Sequence, residues 1–271
     1  MKKAILALLL LTSPVSAIGQ TTYTFGVVPQ QAASKLARLW TPILAHLGRE
    51  SGLDIQFKTA PDIPEFERRL AANEFDFAYM NPYHFTVYNE APGYRAVARA
   101  RDKRIRGILV VRQDSPIESI EELHDMTLAF PAPAAFAANI LPRSSLAAMG
   151  NDIEPRYVSS HDSVYRSVAR GLYPAGGGVV RTFRALAPEI REQLRVLWTT
   201  EGYTPHAIAA SARIPAEVSA RLRKALIDME ATPQGRQLLE NLKLKGFEAA
   251  RDEDWDDVRA LNIHLLDVNS E

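Results

Sequence analysis

Several short stretches of the chain combine side chains that can bind a ligand or act as acids and bases. Ser160, His161 and Asp162 supply the residue types of a hydrolase triad, but neighbours in sequence cannot adopt the geometry of nucleophile, base and orienting acid. The chain also lacks the G-x-S-x-G turn that presents a serine nucleophile in one large class of hydrolases. We therefore expect this protein to bind a ligand and not to be an enzyme.

The first group of candidate binding residues lies in the segment DFAYMNPYHF, residues 76–85. Tyr79 and Tyr83 can stack on a ligand or donate a hydrogen bond, although aromatic residues beside a buried strand more often belong to the core. Asn81 either donates to a ligand or sets the turn before Pro82. His84 either contacts a ligand or caps its own helix.

A second group comes from the later half of the chain. His161 is predicted to begin a helix after Ser159 and Ser160, where the positive helix end favours a bound anion. Arg181 is placed on a predicted strand, GVVRTF, and its forked guanidinium suits carboxylate, sulfonate or phosphate-like groups, the alternative being an ion pair at the surface. His206 either faces a binding cleft or merely precedes a strand.

Histidines from separate segments leave a metal-binding alternative open. Imidazoles of His84, His161 and His206 would suit zinc if the fold brought them together. No short-range cluster of His, Asp or Glu supports this, so no metal and no cofactor is expected. The remaining histidines are predicted to lie on the surface: His46, His124 and His264.

Composition excludes several classes of protein. The chain has no cysteine, which rules out disulfides, thiolate metal sites and a cysteine nucleophile. Its 32 basic residues are balanced by 32 acidic residues, so no electrostatic case for nucleic-acid binding exists.

The N-terminal segment predicts export. Lys2 and Lys3 precede a short apolar run, and Val15, Ser16 and Ala17 supply the small-residue end of a secretory signal peptide. We expect cleavage near Ala17 and a monomeric mature protein in the periplasm.

Alternating strands and amphipathic helices predict an α/β fold of crossover units with mostly parallel strands. Two such sets follow one another along the chain. The last helices must pack against a sheet, and the sheet of the first set is the natural candidate. We therefore predict a discontinuous first lobe, residues 18–106 and 198–271, around a second lobe, residues 107–197, after a signal peptide at 1–17.

The order of these segments resembles the phosphate, phosphite and phosphonate substrate-binding family. FGVVP, DFAYMNPYHF, the helix containing LPR, SSHDSVYRSVARG and TPHAIA carry the resemblance, which spans nearly the whole chain after residue 17. It implies a type II periplasmic-binding-protein fold, in which two α/β lobes are joined by a two-stranded hinge with a cleft between them. It also implies a small anionic ligand delivered to a membrane transporter permease, with a sensor kinase as the alternative partner.

The same resemblance makes His161 a ligand contact and aligns Phe85 with a tyrosine that relatives place in the cleft. Where relatives have a Ser-Thr-Ser-Gly run at a helix start, this chain has Ala135, Phe136, Ala137 and Ala138. Pro174 replaces an acidic residue. Loss of buried hydroxyl donors removes hydrogen bonds worth about 1.5–3 kcal/mol each to a charged ligand. We therefore expect a ligand other than phosphonate, with Phe136 either forming an apolar wall of the site or packing against the core of its lobe.

Overall fold

The computed structural model describes residues 21–266, which form two α/β lobes around two sheets. The predicted signal peptide lies outside the described residues. The strands are β1 (Thr22–Val27), β2 (Asp54–Lys58), β3 (Phe77–Met80), β4 (Arg95–Ala100), β5 (Gly107–Arg112), β6 (Thr127–Phe130), β7 (Glu154–Tyr157), β8 (Ala175–Val179), β9 (Leu194–Thr199), β10 (Ala207–Ala210) and β11 (Phe247–Ala249).

Helices cover both sheets. They are α1 (Ala33–Ser51), α2 (Ile63–Ala71), α3 (Pro82–Glu90), α4 (Leu141–Ala148), α5 (His161–Ala169), α6 (Val180–Arg184), α7 (Pro188–Arg191), α8 (Ala216–Asp228), α9 (Pro233–Asn241) and α10 (Asp256–Arg259). A turn of π-helix, Phe136–Ile140, leads directly into α4. Short 3₁₀ turns cover Glu121–Leu123, Met229–Ala231 and Asp252–Trp255.

Strand pairing is mixed in both lobes, not mostly parallel as predicted. The six-stranded sheet has the order β11-β4-β10-β3-β1-β2, and β10 pairs antiparallel with both β3 and β4. The five-stranded sheet has the order β7-β6-β8-β5-β9, and β5 pairs antiparallel with both β8 and β9. β10 and β5 each follow a crossing between the lobes, and β11 also pairs antiparallel with β4.

The core of the first lobe forms around the long helix α1. Trp40 is 1% exposed, and its ring centroid lies 5.6 Å from that of Phe25 and 4.8 Å from that of Tyr79. Removing a side chain of this kind from water contributes about 1.5–3 kcal/mol. Pro42 lies inside α1, which nevertheless continues unbroken to Ser51.

Three local predictions were wrong. His46 is 2% exposed and is not a surface residue, because it lies three residues after the buried Ile43, on the same face of α1. The last predicted helix, through Leu265, ends at Arg259. Helix α9 was not predicted as a separate helix, although Thr232 caps its first turn and Pro233 opens it.

Two antiparallel crossings join the lobes, as the two-stranded hinge requires. Ile105 and Tyr203 pair through hydrogen bonds of 2.8 and 2.9 Å between their backbone N–H and C=O groups. β5 begins just after the first crossing, and β9 continues to Thr199, two residues past the predicted lobe limit at 197. We propose the lobe division at these crossings.

The second lobe depends on the backbone of Phe136–Ile140 lying directly against two strands. A Cβ atom on Gly107 would lie 1.9 Å from the Ala137 carbonyl oxygen, and one on Gly177 would lie 1.9 Å from that of Ala138. Only glycine permits such an approach of one backbone to another. The run Gly176–Gly178 therefore has a packing role.

No helix among residues 21–266 is both long and apolar enough to cross a membrane.

We predict that Gly177→Ala destabilises the protein by about 3 kcal/mol, because its methyl group must displace the Ala138 carbonyl. Urea unfolding followed by circular dichroism measures the effect. Gly150→Ala is the control: its φ of 71° makes alanine strained, but nothing lies within 4 Å of the new atom, so its cost is about 1 kcal/mol. Equal costs for the two variants would contradict the close packing described above.

Candidate functional site

The two lobes touch across the cleft through a few specific hydrogen bonds. Asn81 Nδ2 donates to the Ala134 carbonyl at 3.1 Å, and Lys35 Nζ donates to the Ala185 carbonyl at 2.8 Å. Gln30 makes two further contacts: its carbonyl accepts from the backbone N–H of His161 at 3.3 Å, and its Oε1 accepts from Arg181. The two lobes are therefore in direct contact in this structure.

Asn81 has two roles. Its Oδ1 accepts from the backbone N–H of His84 at 2.8 Å, which caps α3, and Pro82 then occupies the first helical position, where a missing N–H costs nothing. Its Nδ2 crosses to the other lobe. Asn81 therefore sets the turn before α3, whereas its contact with a ligand stays a prediction, since both polar atoms of its side chain bond protein groups here.

His161 begins α5, as predicted, and Ser160 caps this helix by accepting from the N–H of Ser163. The imidazole is 1% exposed, and its Nδ1 lies 3.1 Å from Thr182 Oγ1. Burial, assisted by the positive charge of Arg181, lowers the pKa of His161 to about 3. The side chain is therefore neutral at physiological pH and contributes hydrogen bonds, not charge, to the cleft.

His206 lies opposite, on the first lobe. Its ring stacks on that of Tyr79 with centroids 4.8 Å apart and an interplanar angle of 16°. Burial and the charge of Arg181 hold the pKa of His206 well below its ordinary value. Its Nε2 is buried and has no hydrogen-bond partner among the described residues, so one polar atom at this wall is available to a ligand.

Arg181 lies in a helix, which corrects the predicted strand GVVRTF. β8 ends at Val179, and α6 begins at Val180, so Arg181 occupies the first turn of a short helix. The apolar run continues from strand into helix, and periodicity cannot separate the two over so few residues. This placement directs Arg181 toward Gln30 across the cleft.

The inner part of the cleft is nearly filled. The remaining cavity measures about 10 Å³ and is lined by Phe136 and its alanine neighbours together with His161 and His206. That volume holds at most about one water molecule. Phe136 is 1% exposed, with its ring edge-on to Tyr203 at 5.7 Å, and Ala135 offers no side-chain cap to the turn that follows.

A second, open pocket of about 210 Å³ lies beside this cavity and shares Ile105, Val179 and His206 with it. Residues from both lobes line it, including Tyr79 from the first and Arg181 from the second. We call it the basic pocket because its charged lining residues are all cationic: Lys103, Arg104, Arg106, Arg181, Arg184 and Lys243.

Tyr83 and His84 are not brought into the cleft. Tyr83 lines a separate hollow beside Val258 and accepts through its hydroxyl from the N–H of Leu266 at 2.8 Å. His84 is fully buried, and its Nε2 lies 2.8 Å from Glu67 Oε1. Their predicted ligand contacts have no support from this geometry, because α3 turns both side chains toward the first lobe.

Within residues 21–266, no three His, Cys, Asp or Glu side chains are grouped so that they could hold a metal ion. The metal-binding hypothesis, which required His84, His161 and His206 to converge, therefore has no preformed site in the described part of the chain.

Sequence reasoning missed Gln30, Thr182 and Lys103. Gln30 lies in the loop after β1 and Lys103 in the hinge crossing, where no periodic pattern marks a functional position. The nearest signal in the sequence is the segment FGVVP, which resembles the family and ends one residue before Gln30.

Comparison with known proteins places these features in a family context. Residues 25–255 match the family model described as "ABC transporter, phosphonate, periplasmic substrate-binding protein". The chain is 20% identical over 225 residues to the phosphate-import protein PhnD of Mycolicibacterium smegmatis, covering 74% of this chain and 70% of that protein.

Two solved structures share the architecture. A binding protein component of an ABC phosphonate transporter from Pseudomonas aeruginosa superposes with a TM-score of 0.83 at 18% identity, covering 90% of this chain and 86% of that chain. PhnD1 from Prochlorococcus marinus, in complex with methylphosphonate, gives a TM-score of 0.81 at 16% identity, covering 89% and 98%. The fold is that of type II periplasmic binding proteins, as the sequence predicted.

The neutral state of His161 predicts a pH dependence of stability. Its pKa in the folded protein is about 3, below the ordinary 6.5. The unfolded chain therefore binds more protons between these values, and stability is lost as pH falls below 6.5. Between pH 6.5 and 5 the expected loss is roughly 2 kcal/mol.

Urea unfolding of the native protein and of His161→Gln at both pH values isolates this contribution. The difference in free energy of unfolding between the two proteins should shrink as pH falls. Only the native protein is destabilised at position 161, because its unfolded chain binds a proton there and the glutamine variant does not. His124→Gln changes a half-exposed side chain and should leave the pH dependence unaltered. A His161→Gln difference that is constant with pH would contradict the neutral buried state.

Proposed function

This chain belongs to the family of periplasmic substrate-binding proteins of phosphonate ABC transporters, and we propose that it captures a small anion between its lobes for delivery to a membrane permease. The basic pocket carries this proposal: it lies between the lobes, is lined by cationic residues and contains no Asp or Glu. Positive charge concentrated in a cleft raises the local concentration and association rate of anions.

Lobe closure supports the same proposal. Residues that bridge the lobes also border the pocket, since Arg181 lines it and binds Gln30 of the other lobe. A ligand held by both lobes favours the closed state over an open one in proportion to its differential affinity. We propose an open form without ligand and this closed form with it.

Phosphonate itself is a weak candidate for the ligand. The helix start at Ala135–Ala138 presents methyl groups and the ring of Phe136, and the cavity there measures about 10 Å³. We propose that the anionic ligand differs from the methylphosphonate bound by the Prochlorococcus marinus relative.

For the partner, we propose a transporter permease, because the matching family model describes an ABC transporter component. No feature of the described residues favours the sensor kinase alternative. Export to the periplasm through the predicted signal peptide accords with this family, and we propose that the mature protein acts there without catalysing a reaction.

A calorimetric and thermal-shift screen tests ligand capture. Orthophosphate, methylphosphonate, sulfate, dicarboxylates and polyphosphates are added separately to the purified protein. The correct anion, present at about 100 times its Kd, should stabilise the fold by about 2.7 kcal/mol, and neutral sugars should not. If no anion of any charge binds or raises Tm, the proposed function is wrong.

A variant at the rim of the cleft tests closure. Lys35→Ala removes the bond to the Ala185 carbonyl, which exists only when the lobes meet. Loss of about 1 kcal/mol from the closed state should weaken affinity for the best anion about fivefold. Small-angle scattering should show compaction of the native protein on ligand addition.

Lys58→Ala is the matched control, because Lys58 is an exposed lysine on the edge strand β2 of the same lobe. It should leave affinity unchanged. An unchanged radius of gyration with saturating ligand, or equal effects of the two lysine variants, would argue against ligand-linked closure.

A further inference from the structure

The basic pocket holds more positive charge than the protein itself neutralises. Six of its fourteen lining residues are Lys or Arg, and none is acidic. Within residues 21–266, one of the six has a carboxylate partner: Arg104 Nη2 lies 2.8 Å from Asp257 Oδ2. The other five have no ion pair there: Lys103, Arg106, Arg181, Arg184 and Lys243.

Neutral groups hold several of these side chains in place. Lys103 Nζ donates to the Lys243 carbonyl at 3.1 Å, and Arg106 Nη1 donates to the Thr200 carbonyl at 3.0 Å. Such bonds orient a cation but do not cancel its charge. These contacts therefore hold the cationic side chains in place and leave the net positive charge of the pocket unchanged.

The cations of the two lobes also affect one another. Burial and the positive charges of Arg181 and Arg184 lower the pKa of Lys103. Lys103 belongs to the hinge, whereas both arginines belong to α6 of the second lobe. Repulsion between Lys103 and the two arginines opposes closure of the lobes. An anion bound between them would attract all three cations and would therefore favour closure.

The neighbouring inner cavity is not suited to an anionic group. It measures about 10 Å³, and its lining contains no Lys, Arg, Asp or Glu. Its two histidines are neutral, since burial lowers the pKa of both. An ionised group there would be desolvated without a charged partner, which is strongly unfavourable.

We infer that the ligand carries at least two anionic groups and that these lie in the basic pocket, against Lys103, Arg181 and Arg184, and not at the helix start Ala135–Ala138. This inference rests on the proposed function and narrows its ligand class to small polyanions with phosphate-like or carboxylate groups. His206, whose Nε2 is buried and unpartnered among the described residues, supplies a hydrogen bond at the wall that the two cavities share.

The requirement for two groups follows from charge balance. A single anionic group would pair with one or two of the five cations, of which Lys103 and Arg181 are half-buried and Arg106, Arg184 and Lys243 are exposed, and would leave the others without an anionic partner. A second group would pair with further cations through additional charge-assisted hydrogen bonds, which are stronger than those between neutral groups. A pocket of about 210 Å³ suits a molecule smaller than drug-sized ligands, whose pockets start at roughly 300 Å³.

Isothermal titration calorimetry with inorganic probes tests the inference. Orthophosphate, methylphosphonate, pyrophosphate and tripolyphosphate are titrated into the native protein at low and at physiological salt. Pyrophosphate or tripolyphosphate should bind at least about tenfold more tightly than orthophosphate, and higher salt should reduce this preference because it screens the partly exposed charges.

Charge-removing variants locate the site. Lys103→Gln and Arg184→Gln should each weaken polyphosphate binding about tenfold, the loss expected for one charge-assisted hydrogen bond. Among the described residues neither side chain makes an ion pair whose loss would destabilise the fold, and an unchanged Tm without ligand verifies this. Lys58→Gln removes an equal charge from an exposed lysine that does not line the pocket and should have no effect.

The outcomes separate this inference from the proposed function. Equal affinity for orthophosphate and polyphosphates, or polyphosphate binding that survives both pocket variants, overturns the inference and leaves anion capture intact. Equal weakening by Lys58→Gln also overturns it, because binding would then be a property of the whole surface. Absence of binding by every probe and every anion of the wider screen overturns the proposed function as well.

Discussion

The second lobe can form only if the backbone of Phe136–Ile140 lies directly on β5 and β8, with no side chains between them. Gly107 and Gly177 make this possible, since a Cβ on either would lie 1.9 Å from a carbonyl oxygen. The helix start is thereby fixed at the floor of the cleft, where it presents alanine methyl groups and the ring of Phe136. The inner cleft is small and its lining contains no Lys, Arg, Asp or Glu, whereas the cationic residues lie farther out, along the hinge and α6. The neutral histidines and the basic pocket both follow from this arrangement.

We propose that the separation of a neutral interior from cationic residues at the mouth of the cleft orders the events of binding. Exposed arginines such as Arg184 would act first, because their field extends into solvent and attracts an approaching anion. Gln30 and Asn81 would act later, through their contacts with the opposite lobe. Different residues would then govern the on-rate and the residence time, as is common for electrostatically guided complexes.

The sequence predicted the α/β class, the type II architecture and the helix start at His161, because these rest on periodicity, capping and the order of segments. It did not predict strand direction, since a buried strand such as β10 has the same apolar pattern whichever way it runs. Arg181 was assigned to a strand because the three residues before it in GVVRTF are apolar or glycine, and a five-residue helix leaves no period to detect. His84 faces Glu67, a partner on another helix that no local pattern identifies. The basic pocket was invisible for the same reason: its cations lie on three separate segments and meet only after folding.

The hydrogen bond between Lys35 and the Ala185 carbonyl marks a place at the rim of the cleft where separation of the lobes can be detected. These groups lie 2.8 Å apart when the lobes meet, and they belong to different lobes, so any opening must separate them. The chain contains no cysteine, so a single thiol introduced at position 185 would be the only thiol in the molecule. An environment-sensitive fluorophore attached there would lose its contact with the opposite lobe on opening. The protein thus offers a ready scaffold for an optical reporter of its own ligand.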